Sequence, residues 1–357
     1  MTGTLASKLF MGEFDLIQRY FTRAQPLGCS VVQGIGDDCA LLLPAPGTHL
    51  AISCDMLVEG RHFLPTVSPQ ALGHKALAVN LSDMAACGAK PVAFTLALAV
   101  PRIDEAWLAG FSKGMFALAD AHGCTLVGGD TTQGPLNICI TVLGEVPVVG
   151  GKSLALLRSG AQAGDDIYVS GNLGDARLAL EMFRGNVSVD EKTFARCRER
   201  MERPTPRVAL GMALRGVATA AIDVSDGLLG DLGHLLKASK VGAELAIDTI
   251  AACALSTLAM RQFSPQFAYE MTAAGGDDYE LVFTAPVAKR QAVQAASAMA
   301  GTLVTCIGSI TKAQHLKLHD SNGQPVPNSF ASFDHFLSPN LGRARRPHRT
   351  YPREFKT

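Results

Sequence analysis

The chain has 357 residues, 48% hydrophobic and 18% charged, with equal numbers of basic and acidic side chains. That length favours two domains, that composition suits a globular chain with a real core, and no stretch approaches the roughly 20 apolar residues a membrane helix needs. The nine cysteines form no C-x-x-C pair and the nine histidines no H-E-x-x-H pattern, so reduced, packed thiols are expected rather than a disulfide framework or a structural zinc site.

The opening "MTGTLASKLFMGEFDLIQRYF" lacks a continuous apolar core with a cleavage site, so no signal peptide is expected and the cytoplasm is the expected location. Next comes "GIGDDCALL" (34–42), where Asp37 and Asp38 sit side by side between a glycine turn and an apolar run. "HLAISCDML" and "TLVGGD" read as buried strands that end in polar turns. Between them the pattern predicts a helix over "SPQALGHKALAVNLSDMAACGAKP", with Ser68 as N-cap, Pro69 in its first turn, and Gly88 with Pro91 as its stop. A second helix is predicted over "DEAWLAGFSKGMFALADAHG", ending at Gly123, with Trp107 assigned to packing. The first half closes near "ITVLGEVPVV", and "GGKSLALLRSGAQAGDD" reads as a connection into the strand "DIYVSG".

The second half continues with the strand "TAAIDV", a capped helix "SDGLLGDLGHLLKAS" and the strand "DDYELVF". Alternating strand-like and helix-like stretches predict a mixed α/β (α+β) chain of two domains, residues 1–148 and 149–340. The tail, 341–357, carries six basic residues against one acidic, and such arginine-rich, proline-broken ends are solvated extensions more often than nucleic-acid sites.

Two nucleotide motifs fail. "GIGDDC" begins like the G-x-G-x-x-G fingerprint but has Cys39 at the third glycine position, and "GGKS" would need glycine where Val146 stands. What recurs instead is aspartate at expected strand ends and helix starts: Asp37 and Asp38, Asp55, Asp83, Asp130, Asp223 and Asp226, Asp277 and Asp278. One such residue is ordinary turn chemistry. Six clusters set among glycines and apolar runs ask for another reason.

Asp83 is the sharpest case. Residues 72, 76, 79, 83 and 87 share one helix face, and the other four are Leu, Ala, Val and Cys, with Asn80 one turn before Asp83. A buried carboxylate needs a cation or strong donors. The aspartate motifs contain no basic residue, which leaves a divalent metal as the expected partner. Oxygen ligands without histidine or thiolate select Mg²⁺, Mn²⁺ or Ca²⁺ over zinc or copper. Mg²⁺ commonly binds one or two carboxylates together with substrate phosphates. The turns "VGGDTTQG" and "DVSDG", the latter at a helix start, offer backbone N–H groups to such phosphates. The set therefore points to a magnesium–nucleotide site without a P-loop.

Eight segments in order carry a resemblance: "GIGDDCALL", "ISCDMLVEGRHF", "KALAVNLSDMAACGAKP", "LVGGDTTQGP", "LLRSGAQAGDDIYVSG", "AIDVSDGLLGDLGHLLKAS", "GGDDYEL" and "SFDHF". The series, from about residue 12 to 337, resembles the bacterial thiamine-monophosphate kinases. That resemblance implies the two-domain fold shared with aminoimidazole ribonucleotide synthetase, N-terminal domains paired in a homodimer, and transfer of the γ-phosphoryl group of ATP to thiamine monophosphate with Mg²⁺. It implies metal contacts at Asp38, Ser53, Cys54, Asp55, Asp83, Asp130, Asp223 and Asp226. Position 54 is usually threonine, so Cys54 would serve through its backbone carbonyl. Nucleotide contacts fall at Lys113, Gly129, Asp130, Arg158 and Ser225, and substrate contacts at His62, Asp277 and Phe333. Asp277 stands where glutamate is common, and Gln133 replaces a frequent arginine. Other ATP-using enzymes of the fold (aminoimidazole ribonucleotide or selenophosphate synthetases) and a non-catalytic nucleotide-binding protein are the alternatives. Against the former stand "VEGRHF" and "GGDDYEL" and the lack of a catalytic N-terminal cysteine segment; against the latter, the retention of every matching aspartate.

Overall fold

The computed structural model describes residues 12–23, 30–254, 256, 259 and 262–330; Phe333 and the basic tail lie outside them. The first half runs α1 (Glu13–Tyr20), β1 (Val31–Gln33), β2 (Leu41–Leu42), β3 (Thr48–Val58), α2 (Pro69–Ala86), β4 (Lys90–Val100), α3 (Glu105–His122), β5 (Thr125–Gln133), β6 (Asn137–Val149) and β7 (Lys152–Ser153). The second half follows with β8 (Asp165–Ser170), α4 (Asp175–Phe183), α5 (Glu191–Glu202), α6 (Val208–Ala213), β9 (Ala220–Val224), α7 (Leu228–Ser239), β10 (Gly242–Ala246) and α8 (Ile247–Ala251). It ends with α9 (Pro265–Ala274), β11 (Glu280–Pro286), α10 (Arg290–Ala300), β12 (Val304–Thr311), β13 (Leu316–His319) and β14 (Pro325–Val326).

α2 forms where its caps predict, and α3 ends at Gly123 as expected. Ser68 Oγ accepts from the Ala71 N–H at 3.2 Å with Pro69 in the first turn, and Gly88 turns left-handed (φ 65°) beyond the end of α2. Asp104 caps α3 through the Trp107 N–H at 3.0 Å, and Gly123 ends it at φ 60°. Trp107 stacks on Phe111, with ring centroids 5.0 Å apart.

The first half builds a main sheet in the order β3-β6-β4-β5, with β7 added beside β6, and a separate antiparallel pair β1-β2; β4 and β5 are parallel and the other pairs of the main sheet antiparallel. One face of this sheet is covered by α2, which is apolar and small-residue on nearly every side and so is buried on nearly every side. Glycines let α2 and α3 touch backbone to backbone: a Cβ at Gly73 would sit 2.0 Å from the Phe111 carbonyl oxygen, and one at Gly114 1.8 Å from that of Gln70. On the opposite face Val31 of β1 packs with Ala93 and Val127, and the part along β3 is open. "HLAISCDML" is therefore half-buried rather than buried, with Ile52 62% and Met56 52% exposed.

The second half builds a seven-stranded sheet, β14-β13-β10-β12-β8-β11-β9, antiparallel except for β10 beside β13. β8, β9 and β11 are buried along almost their whole length, and α7 packs on this sheet over a second apolar cluster. The larger cluster runs from α2 and the first sheet into Tyr168, Leu281 and Phe283 of the second. α2 is thus the element that both halves share, and its second half faces the ends of β9 and β11.

Three expectations need correction. β4 lies between the two helices, where no strand is read from the sequence. Asp55 and Asp130 stand within β3 and β5, and Asp223 within β9, because each strand continues past its aspartate or encloses it. Packed thiols hold for Cys124, Cys197 and Cys253 but not for Cys39, Cys54 and Cys306, which are exposed. No described helix is long and apolar enough to cross a membrane.

Candidate active site

Four carboxylates meet where α2, β3 and the end of β9 converge. Asp83 occupies the last part of α2 and accepts a short hydrogen bond from Ser53 Oγ on β3. Asp55, two residues further along β3, is placed by Asn80, whose buried Oδ1 accepts the Asp55 N–H at 3.0 Å while its Nδ2 donates to the Ala76 carbonyl. Ser82 Oγ donates to Asp223 Oδ2 at 2.8 Å across the seam between the halves. Asp226 follows on the exposed turn after β9.

The electrostatics record the crowding. Burial, then the charges of Asp83 and Asp226, push the Asp55 carboxyl up to about 6. Asp223, 6% exposed, is pushed up to about 8 by burial first and then by Asp83, with Asp231 and Asp55 adding to it. Asp83 is also raised by burial, opposed by the Ser53 hydrogen bond and the Arg158 guanidinium. Asp83 is half-buried rather than buried, because its stripe emerges at the C-terminal end of α2. Arg158 supplies a cationic influence that no aspartate motif contains.

The donors fit a hard divalent cation: all are oxygen, and the carboxyls are raised by burial first and, at Asp55 and Asp223, by neighbouring like charges. Among the described residues, no three His, Cys, Asp or Glu side chains converge closely enough to hold a metal ion. The chemistry of a cation site is present, and a closed coordination sphere is not.

A cavity of 530 Å³ opens beside the carboxylates. Asp226 belongs to both, since it acts on Asp55 and lines the cavity. The β3–α2 connection contributes His62, whose Nδ1 accepts the Val58 N–H at 3.0 Å, which leaves the proton of the neutral ring on Nε2. Leu180, Phe183 and Met201 give an apolar wall, and Asp277 a polar one.

The N-terminus of α7 departs from expectation. Its "SDG" turn offers N–H groups for an anion, but Asp231 in the first turn already takes three of them: Ser225 and Asp226 at 3.0 Å and Gly227 at 3.2 Å. The chain's own carboxylate fills the place read as a phosphate cradle. Burial, then the nearby Asp226, pushes Asp231 up to about 7. An acidic residue in the first turn of a helix opened by glycine was the available sequence signal.

Residues 36–146 match the model of the AIR synthase related protein N-terminal domain, and residues 162–321 that of the corresponding C-terminal domain. The thiamine-monophosphate kinase of Salmonella typhimurium (strain LT2) is 45% identical over 329 residues, 92% of this chain and 99% of its own. The chain belongs to the thiamine-monophosphate kinase family. A crystal structure of the thiamine-monophosphate kinase of Stenotrophomonas maltophilia K279a is similar at TM-score 0.75 and 41% identity, covering 83% of this chain and 92% of its own. A second structure, AaThiL complexed with AMPPCP and TMP, is similar at TM-score 0.70 and 27% identity, covering 82% and 89%.

Of the site positions expected from the sequence, the structure gathers Ser53, Asp55, Asp83, Asp223 and Asp226, with Arg158 acting on Asp83, and places His62, Ser225, Asp226 and Asp277 on the cavity. Asp38 on the β1–β2 connection, Gly129 and Asp130 on β5, and Lys113 on α3 are exposed and belong to neither group. Asp37 and Asp38 are tolerated side by side because water screens both, and the Asp38 N–H donates to Asp37 Oδ1 at 2.8 Å. Cys54 is exposed, its Sγ 3.4 Å from that of Cys139. Phe333 lies outside the described residues. Lys75 went unread: it is buried in α2 and ion-paired with Asp277.

Proposed function

We propose that this protein transfers the γ-phosphoryl group of ATP to thiamine monophosphate, giving thiamine diphosphate. The observation that carries the reading is Asp226, which joins the carboxylate group to a cavity of substrate size in a chain belonging to this kinase family. The attacking atom is a phosphate oxygen of the acceptor, already anionic at neutral pH, so no side chain has to remove a proton. What remains is positioning two polyanions in line and balancing their charge. Transfer is direct, without a phosphorylated protein residue.

Asp38, Ser53, the Cys54 carbonyl, Asp55, Asp83, Asp130, Asp223 and Asp226 are the proposed donors for Mg²⁺, which when bound neutralises charge on the phosphates. Gly129, Asp130, Arg158 and Ser225, with Lys113 at the margin, are assigned to the nucleotide. His62 and Asp277, with Phe333, are assigned to the acceptor. The Ser225 contribution is its side chain, because its N–H is committed to Asp231.

Residues 1–148 are proposed as the nucleotide, metal and dimerisation domain and 149–340 as the second domain, in a cytoplasmic homodimer. The open face of the first sheet, with Leu50, Ile52 and Met56 exposed along β3, supports the pairing.

The test is incubation with ATP, Mg²⁺ and thiamine monophosphate, followed by chromatographic separation of the thiamine phosphates. The wild type is expected to form thiamine diphosphate and Asp83→Asn to form it about a hundredfold more slowly or worse. No product from the folded wild type overturns the proposal.

A further inference from the structure

Lys75 stands in the middle of α2 and is 2% exposed. A buried ammonium needs an anionic partner, and Lys75 Nζ lies 2.9 Å from Asp277 Oδ2. The other carboxylate oxygen, Oδ1, accepts from the Tyr279 hydroxyl at 3.2 Å. Asp277 and Tyr279 both have positive φ, 67° and 51°, a conformation that residues with side chains rarely hold. Their N–H groups are pinned to the end of β9, donating to the Ser225 and Val224 carbonyls at 2.8 Å each. Gly276 between them and β9 has no room for a side chain, since a Cβ there would meet the Ser225 carbonyl oxygen at 2.6 Å.

A carboxylate held at both oxygens, on a backbone turned against its preference, is a fixed acceptor. Asp277 retains 33% exposure of its side chain and lines the cavity that His62 and Asp226 also line. Of about four lone-pair positions on a carboxylate, Lys75 and Tyr279 take two. The remainder suit an N–H donor on a ligand in the cavity. Thiamine carries one such group, the exocyclic amine of its pyrimidine ring.

We propose that Lys75 and Tyr279 are positioning residues that, through Asp277, fix the carboxylate receiving the ring amine of the acceptor substrate, and thereby set the preference for an aminopyrimidine. The inference rests on thiamine monophosphate being the acceptor. Both residues line the same cavity, and in this role their loss acts on acceptor binding rather than on transfer.

The experiment is steady-state kinetics of the full chain with thiamine monophosphate and with the analogue whose ring amine is replaced by oxygen. Lys75→Met keeps the stem and removes the ammonium. It is expected to raise KM for thiamine monophosphate about tenfold, to leave kcat and the KM for ATP within about twofold, and to flatten the discrimination between the two acceptors. Combined with Asp277→Asn, it is expected to add nothing to the KM of Asp277→Asn alone, because both act through one carboxylate. Tyr279→Phe removes one hydroxyl, and its KM is expected to rise about threefold even if Lys75→Met does not fold. Wild-type KM and discrimination in Tyr279→Phe and in any folded Lys75→Met overturn the proposal, as does full additivity with Asp277→Asn. A folded wild type that never phosphorylates thiamine monophosphate fails earlier, at the acceptor reading, and removes this inference with it.

Discussion

Asp223→Asn is expected to stabilise the metal-free protein at high pH and to destabilise it at low pH. A carboxyl whose pKa is raised in the folded state holds its proton more tightly there than in the unfolded chain. The folding penalty is therefore absent below the unfolded value of 3.8 and complete once pH passes the folded value of about 8. At 1.36 kcal/mol per unit the full penalty is roughly 6 kcal/mol, and at about pH 5 it is only about 2 kcal/mol. Asparagine removes that charge and keeps an oxygen for the Ser82 hydroxyl. It adds a buried amide with an unsatisfied N–H, which costs about 1–3 kcal/mol.

The difference leaves the variant about 3–5 kcal/mol more stable than wild type above pH 8 and within about 1 kcal/mol of it near pH 5. Urea unfolding at equilibrium, with chelator present, reads both limits, and adding Mg²⁺ should stabilise the wild type while leaving Asp223→Asn unmoved. A variant less stable than wild type above pH 8 would refute the reasoning, because the carboxylates would then not be in electrostatic debt to a missing cation.

Glu280 is fully buried against Arg200 at 2.8 Å and Arg207 Nε at 2.6 Å, so Glu280→Gln strands two guanidinium groups and is expected to cost about 3–5 kcal/mol in urea unfolding. An unchanged midpoint would mean that these ions carry no stability. Ile52→Glu, on the open face of the first sheet, is expected to turn a wild-type dimer into a monomer by light scattering behind size exclusion, with the fold retained by circular dichroism. A wild type that is already monomeric, or an undisturbed dimer, removes that face as the interface.

Much of the first half was legible because its signals are local. Ser68, Pro69 and Gly88 bound α2, and Asp104 and Gly123 bound α3, through bonds reaching no more than a few residues. β4 does alternate, with Phe94, Leu96, Leu98 and Val100 buried and Thr95, Ala97 and Ala99 between them, but the small residues are themselves mostly apolar, which blurs the period-two signal in a run of apolar letters. The carboxylate chemistry was equally legible as residue types, since oxygen donors without histidine or thiolate select hard cations whatever the fold. The phosphate cradle at α7 misled because its N–H groups were counted as available before Asp231 was placed.

By itself the sequence determined where α2 and α3 end, that the chain is mixed α/β, and the kinase family it resembles, and it raised the metal–phosphate reading of the acidic motifs. Only the tertiary structure decided which aspartates share a charge environment. Ser82, next to Asp83 in α2, bonds Asp223 across 141 residues of chain, and Lys75 finds Asp277 across 202. Burial and Coulomb energy depend on distance in space, and no spacing in the sequence encodes that distance until α2 is packed against the ends of β9 and β11.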